Sequence, residues 1–142
     1  TPEERDRYLI ALADFQKPML TRKVLSFLLS DSVRAQDVWR PIRSLLANPI
    51  TQGETWDFIR RHWSALRKKG GSVGAQRIIQ ATRSLWRGEW LQEVKTFFNN
   101  PANKVPSAAR TLLQSLEFIE LGIQFKERQR DCLSRWLQER PK

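Results

Sequence analysis

From Trp56 to Lys68 the apolar and charged positions separate onto opposite sides of a helix. At about 100° per residue, Trp56, Phe58, Ile59, His62, Trp63, Ala65 and Leu66 fall in one half of the circle, and Asp57, Arg60, Arg61, Ser64, Arg67 and Lys68 fill the other. Gly53–Gly70 is therefore predicted as an amphipathic helix. Its apolar arc spans about 180°, well beyond the roughly 100° that contact with a single core requires. Neighbours on two sides are expected, with Trp56 and Trp63 as the large anchors.

The same periodicity extends in both directions. Thr1-Pro2-Glu3-Glu4 combines a capping hydroxyl, a proline suited to the first helical position and acids in the first turn. Tyr8, Leu9, Ala11, Leu12 and Phe15 continue that helix to about Gln16. Pro18 permits a new start, Met19–Leu29 reads as a second helix, and the two form an antiparallel hairpin. A third helix over 36–47 holds Pro41 near its first turn and carries Val38, Trp39, Ile42, Leu45 and Leu46. Gly53–Gly70 is the fourth, stopped by Gly70-Gly71-Ser72. A fifth over 74–86 uses Ile78, Ile79, Ala81, Leu85 and Trp86, and a sixth over 89–98 uses Trp90, Leu91, Val94, Phe97 and Phe98.

From Ser107 onward one stripe runs through Leu112, Leu116, Ile119 and Ile123. A second, through Phe118, Leu121 and Phe125, lies about 120–140° away. A break is expected near Gln124–Glu127, with Leu133, Trp136 and Leu137 restarting the stripe on a final helix. No period-2 strand and no Asn-Gly or Asp-Gly hairpin turn interrupts the series. The expectation is an all-α chain of about eight helices joined by short loops, stacked as hairpins or as an α-solenoid. Exact repetition at a fixed period is absent, which argues against a regular tetratricopeptide or ankyrin array.

A chain of 142 residues is long enough for one domain with a real core. With 40% apolar and 28% charged residues it falls outside the disordered and membrane classes, and no apolar run is long enough to cross a bilayer. The opening Thr1-Pro2-Glu3-Glu4 has neither an initiator Met nor a leader pattern, so an excised or processed piece is expected and the compartment is left open. Charge changes the picture more. Of the net +10, residues 60–110 supply nine: eleven Lys or Arg against Glu89 and Glu93. Such a bias suits an acidic partner, whether nucleic acid, an acidic domain surface or a peptide carboxylate; an ordinary solvated helical face accounts for it equally well.

Candidate chemistry is sparse. His62 is the single histidine, HExxH is absent, and the wheel places His62 on the apolar arc beside Phe58, where a core or boundary packing role is expected. Cys132 is the single cysteine, so no internal disulfide or thiolate metal cluster can form. It is expected to pack as a small apolar group. Gly70-Gly71-Ser72-Val73-Gly74 follows a helix and lacks the Gly-Lys-Ser/Thr ending of a phosphate loop, so it reads as a helix stop and flexible link. No residue is assigned a catalytic, cofactor-binding or metal-ligating role.

Several motifs in order carry a resemblance: Arg34-Ala35-Gln36-Asp37; Trp56-Asp57-Phe58 with Trp63; Glu93-Val94-Lys95-Thr96-Phe97-Phe98; Ala109-Arg110 through Ile119; and Trp136-Leu137. Together they resemble the C-terminal helical domain of the zinc aminopeptidases related to aminopeptidase N, puromycin-sensitive aminopeptidase and the endoplasmic-reticulum aminopeptidases. Gly122-Ile123-Gln124-Phe125 replaces that family's Asn-Ile-x-Trp step, and the Asn48–Gly53 segment is longer than its Asn-x-x-Gly, which marks a divergent member.

The resemblance implies a HEAT/armadillo-like α–α superhelix over residues 1–142, non-catalytic in itself. Zinc and the catalytic glutamate would lie in a separate upstream domain of the same polypeptide. This domain would wall a substrate chamber and contact the distal end of a peptide; the basic bias of the 77–110 stretch separately suggests that some of its arginines, with Arg83 or Arg87 as the positions to test, face the peptide's carboxylate. No cofactor is expected in this chain, and neither a membrane span nor a specific nucleic-acid partner. The alternative is a stand-alone helical-repeat module whose basic face binds an acidic partner such as nucleic acid. An independent enzyme has too few ligands to recommend it.

Overall fold

The computed structural model describes residues 1–140. Thr1 caps the first helix as expected: its Oγ1 accepts the Glu4 backbone N–H at 3.3 Å, and the Glu4 side chain reaches back to close a capping box. Six α-helices follow among the described residues, with no strand: α1 (Pro2–Ala11), α2 (Pro18–Leu29), α3 (Trp39–Ala47), α4 (Gln52–Ala81), α5 (Gly88–Asn99) and α6 (Ala109–Gln138). Short 3₁₀ turns at Leu12–Asp14, Ala35–Asp37, Thr82–Ser84 and Pro106–Ala108 take up helix ends that the apolar periodicity had placed inside regular helix.

Contacts run between helices adjacent in sequence and between helices two apart, while α1 and α2 both pack on the 3₁₀ turn that joins them. Helix α3 packs on α4 and α5 on α6, while α1 meets α3, α2 meets α4, and α4 meets α6. The all-α expectation holds, with the neighbour pattern of stacked helical hairpins. Helix α4 lies in the middle of the stack, and the side chains with almost no exposure come from every layer: Leu25 and Leu28 of α2, Ile42, Leu45 and Leu46 of α3, Trp56, Ile59, Leu66 and Ile79 of α4, Phe98 of α5 and Ile119 of α6.

Two expected boundaries differ. The fourth and fifth helices merge into one 30-residue element, α4, kinked at Gly71. Gly71 adopts φ +61° and ψ −161°, an essentially glycine-only region that a residue with a Cβ enters at a cost of about 1–3 kcal/mol. The Gly70–Gly74 stretch is thus a single sharp bend within helix. The break expected at Gln124–Glu127 does not occur. Helix α6 runs through it without interruption, because Gln, Lys, Glu and Arg are good helix formers and no Gly or Pro stands there. These two mergers reduce the expected eight helices to six.

The link from α3 to α4 is held by buried polar groups. At the C-terminus of α3 the last carbonyls lack helical partners. Thr51 Oγ1 donates to the Leu45 carbonyl at 2.7 Å, and the Leu46 carbonyl accepts from both Gln52 Nε2 and Ser84 Oγ at 3.1 Å. Asn48 Oδ1 accepts the Ile50 N–H at 2.9 Å, forming the turn that brings Thr51 and Gln52 back over the helix end. The longer Asn48–Gly53 segment is therefore a capping device. Helix α2 is tied to α4 at the surface by the two-pronged contact of Arg22 with Glu54, at 2.7 and 3.3 Å.

Candidate functional site

The sequence motifs that stand out converge on the face of α4 toward α5. Trp56 is fully buried, and its indole N–H donates to Glu93 Oε2 of α5 at 2.8 Å. Trp63, two turns on, donates its indole N–H to the Asn103 carbonyl in the loop after α5 at 3.0 Å. Phe97 and Phe98 fill the space between, with ring centroids 5.0–6.1 Å from the two indoles and edge-to-face or tilted packing. Such pairs contribute about 0.5–1.5 kcal/mol each beyond burial. Glu93 also meets Arg60 at 3.3 Å, and Arg60 pairs with Asp57. The Trp56–Trp63 and Glu93–Phe98 motifs thus read as two halves of one joint. Arg34 and Asp37 form a further one, with Nε to Oδ2 at 2.8 Å around the turn before α3.

Single titratable residues occupy other places. His62 is exposed, with its ring stacked on Phe58 at 4.3 Å between centroids, so it sits at the rim of the core. The backbone leaves helical geometry at His62 (φ −114°, ψ 19°), and Ala65 is exposed too, so the apolar arc is narrower than the ideal wheel implied. Cys132 is also exposed and does not pack as a buried apolar group, because α6 has left the body of the protein before reaching it. Among the described residues no three His, Cys, Asp or Glu side chains form a group able to hold a metal ion. The donor set of this chain does not fit a zinc site.

The basic residues divide by environment. Arg61 approaches Glu54 at 3.8 Å, Lys69 donates to the Ser30 carbonyl at 2.7 Å, and Arg67 reaches the Ala102 carbonyl at 3.4 Å. Arg83 is half-buried; its Nε lacks a hydrogen-bond partner and its guanidinium lies 4.6 Å from the Phe118 ring centre. Arg83 is a packing arginine. Arg87, in contrast, is exposed at the start of α5, stacked 4.6 Å from the Trp90 ring centre and 3.7 Å from Glu89.

Arg87 borders a groove of about 540 Å³ between the turn before α5 and the outer half of α6. Trp86, Ile123, Phe125 and Leu133 supply its apolar walls, and Lys126 and Arg130 join Arg87 as cations, with Glu127 the one acid. Lys126 Nζ reaches the Trp86 carbonyl at 3.5 Å and so bridges the two sides. The groove depends on Gly122: a Cβ there would stand 2.4 Å from the Trp86 indole, so only glycine lets the ring lie flat on α6. Other depressions are present among the described residues. One of about 450 Å³ lies at the bend of α4, beside Arg67, Lys68 and Ser72; another, about 550 Å³ and almost wholly apolar, lies among Tyr8, Leu12, Phe15 and Phe27. A smaller one of about 290 Å³ sets Lys95 and Lys104 beside Phe98 and Leu112, but the groove at Arg87 gathers three cations, Arg87, Lys126 and Arg130, at its apolar wall. Neither Lys126 nor Arg130 was distinguished by the sequence; only the uninterrupted α6 carries them to Arg87.

Comparison with known proteins bears on what this arrangement serves. The ERAP1-like C-terminal domain family matches residues 1–121, up to the point at which α6 leaves the body. Aminopeptidase N of Homo sapiens is 31% identical over 98% of the chain and 15% of its own length. Aminopeptidase 2, mitochondrial, of Saccharomyces cerevisiae is 26% identical over 96% of the chain and 14% of its length. Aminopeptidase N of Lactobacillus helveticus is 33% identical over 74% of the chain and 13% of its length. The chain thus spans about 15% of the length of these relatives.

Proposed function

This chain belongs to the ERAP1-like C-terminal domain family, and from that premise we propose that it serves as the C-terminal helical domain of a zinc-dependent aminopeptidase. In that role it walls the substrate chamber as part of a HEAT/armadillo-like α–α superhelix and contributes no catalytic group. The zinc and its ligands belong to a separate upstream catalytic domain, this domain's partner within the same polypeptide. Support comes above all from the extent of the match, since nearly the whole chain aligns with relatives named as aminopeptidases. The interlock of Trp56 and Trp63 with Glu93, Phe97 and Phe98 agrees with this role, because it consumes the most distinctive side chains in packing.

The finer part of the proposal concerns the peptide's distal end. A free carboxylate beside an apolar last side chain suits the groove of Arg87, Lys126 and Arg130, whose guanidinium and ammonium groups can form charge-assisted hydrogen bonds. Arg83 is excluded from that role by its half-buried packing on Phe118. In the full-length enzyme, Arg87→Glu should raise the KM of free-acid peptides several-fold while leaving amidated peptides unchanged. Equal responses of the two peptide forms would refute the carboxylate contact. Residues 1–142 purified with added zinc should show no aminopeptidase turnover.

A further inference from the structure

The bend of α4 forms one side of the cavity of about 450 Å³ that the proposed function leaves unused. Ser64, Arg67, Lys68 and Gly71 recur at three- and four-residue spacings and so share one face of α4 up to the bend. Ser72 stands just past it, and Asn103 and Ser107 line the cavity from the connection between α5 and α6. A Cβ at Gly71 would meet nothing within 4 Å, so the glycine keeps the middle of this face open.

The opposite wall is fixed in place. The N–H groups of Asn103 and Lys104 donate to the Asn100 carbonyl at 2.9 and 3.0 Å, and the Ala102 N–H donates to Asn100 Oδ1 at 3.0 Å. Trp63 ties this loop to α4 by donating its indole N–H to the Asn103 carbonyl at 3.0 Å. The cavity is therefore framed in advance, which lowers the ordering cost of binding.

Its lining offers donors and no matching acceptor charge. Arg67 has one long hydrogen bond, to the Ala102 carbonyl at 3.4 Å. Among the described residues Lys68 makes no ion pair or hydrogen bond, the hydroxyls of Ser64, Ser72 and Ser107 have no partner, and no Asp or Glu lines the cavity. Two cations in a recess without acids attract an anion. A phosphate monoester carries about −1.5 to −2 charge at neutral pH and three strong acceptor oxygens, which matches two cations with three hydroxyls. A carboxylate, with a single charge and two oxygens, would leave part of the set idle. The recess is also larger than a bare anion requires and falls in the range of small-molecule pockets. Trp63, Val105 and Pro106 supply an apolar wall for the rest of such a ligand.

We propose that this cavity binds the phosphate group of a small phosphate monoester, with Arg67 and Lys68 as counter-ions and Ser64, Ser72 and Ser107 as further donors. The site shares no residue with the groove at Arg87 and does not depend on the aminopeptidase reading.

Amide chemical shifts of the isotopically labelled 142-residue chain, titrated at constant ionic strength, test it. Phenyl phosphate should saturate with a Kd of about 1 mM, moving the amides of 64–72 and 103–107 and the Trp63 indole N–H. Inorganic phosphate should act on the same residues several-fold more weakly, because it leaves the apolar wall unused. Lys68→Gln, at an exposed side chain without a partner, should weaken phenyl phosphate about tenfold with the fold unchanged. Arg67→Gln should lose at least as much, and Arg67→Lys, which keeps the charge, should lose less. Lys69→Gln removes the same charge one residue away, where the ammonium is turned to the Ser30 carbonyl at 2.7 Å, and should leave binding as it is. Absence of saturation by about 20 mM phenyl phosphate, shifts centred on Arg87 and Lys126, equal losses from Lys68→Gln and Lys69→Gln, or inorganic phosphate binding as tightly as the ester would each overturn the proposal.

Discussion

Helices α4 and α6 are both 30 residues long and both apolar on two sides, yet the protein uses them in opposite ways. Helix α4 is enclosed by α2, α3 and α6 and spends both apolar sides inside the stack. Helix α6 spends one side on α4 and α5 and leaves the other in solvent. A broad apolar arc thus says that a helix has two neighbours to find, while the position of the helix in the stack decides whether both are in the same chain. The central element can satisfy both sides and the terminal element cannot. The two helices also differ in continuity: α4 bends at Gly71 to follow the stack, and α6, with no glycine in its outer half, continues straight past the body.

The largest effect expected from this contrast lies at Trp56. Replacing a fully buried Trp by Ala removes its packing on Phe97 and Phe98 and leaves Glu93 without its indole donor. Trp56→Ala should cost about 3–5 kcal/mol in chemical denaturation. A loss below about 1 kcal/mol would mean that α4 is not the centre of the fold.

Next comes Gly122, the point where α6 is pinned to the body. Gly122→Ala drives a methyl into the Trp86 indole and should cost about 1–3 kcal/mol. In a Trp86→Ala background the same substitution should become neutral or favourable, because alanine is the better helix former by about 1 kcal/mol. Additivity of the two changes in a double-mutant cycle would show that the ring does not rest on the glycine.

Gly71 sharpens the comparison from the other side. Nothing lies within 4 Å of a Cβ at Gly70 or Gly71, so any difference between Gly70→Ala and Gly71→Ala reports backbone conformation alone. Gly71→Ala should lose about 1–3 kcal/mol to its positive φ. Gly70→Ala, with an ordinary φ, should gain up to about 1 kcal/mol, and equal responses would place the bend elsewhere. The smallest effect belongs to the outer half of α6: Trp136→Ala should alter monomer stability by no more than about 0.5 kcal/mol, although it removes a side chain as large as Trp56.

Much of this was legible in the sequence. The helical periodicity alone defined an all-α chain, and the arc through Trp56, Ile59, Trp63 and Leu66 identified the side of α4 that is buried. The motif order Trp56–Trp63, Glu93–Phe98 and Ala109–Ile119 led to the family. Three things were less accessible. Thr51 and Gln52 look like ordinary loop residues until the α3 carbonyls they satisfy are in place, and hydrogen-bond partners six residues apart leave no periodic trace. Gly122 read as a departure from a motif, since nothing in the sequence announces that Trp86 will lie on it. His62 and Cys132 appeared on apolar stripes but are exposed, because a stripe states which residues share a face and not whether another element covers it. The candidate groove shares this limit: Arg87 belonged to the basic stretch, whereas Lys126 and Arg130 gained meaning only from an unbroken α6.

Native-state amide hydrogen exchange tests the division between the two helices most directly. Amides of 56–66 in α4 should exchange only through global unfolding, with protection equal to the stability from denaturation. Amides of 126–137 in α6 should exchange through local fraying at least a hundredfold faster, since an unsupported helix of some dozen residues is marginal. Equal protection along both helices would contradict the claim that one is the enclosed centre of the fold and the other projects beyond it.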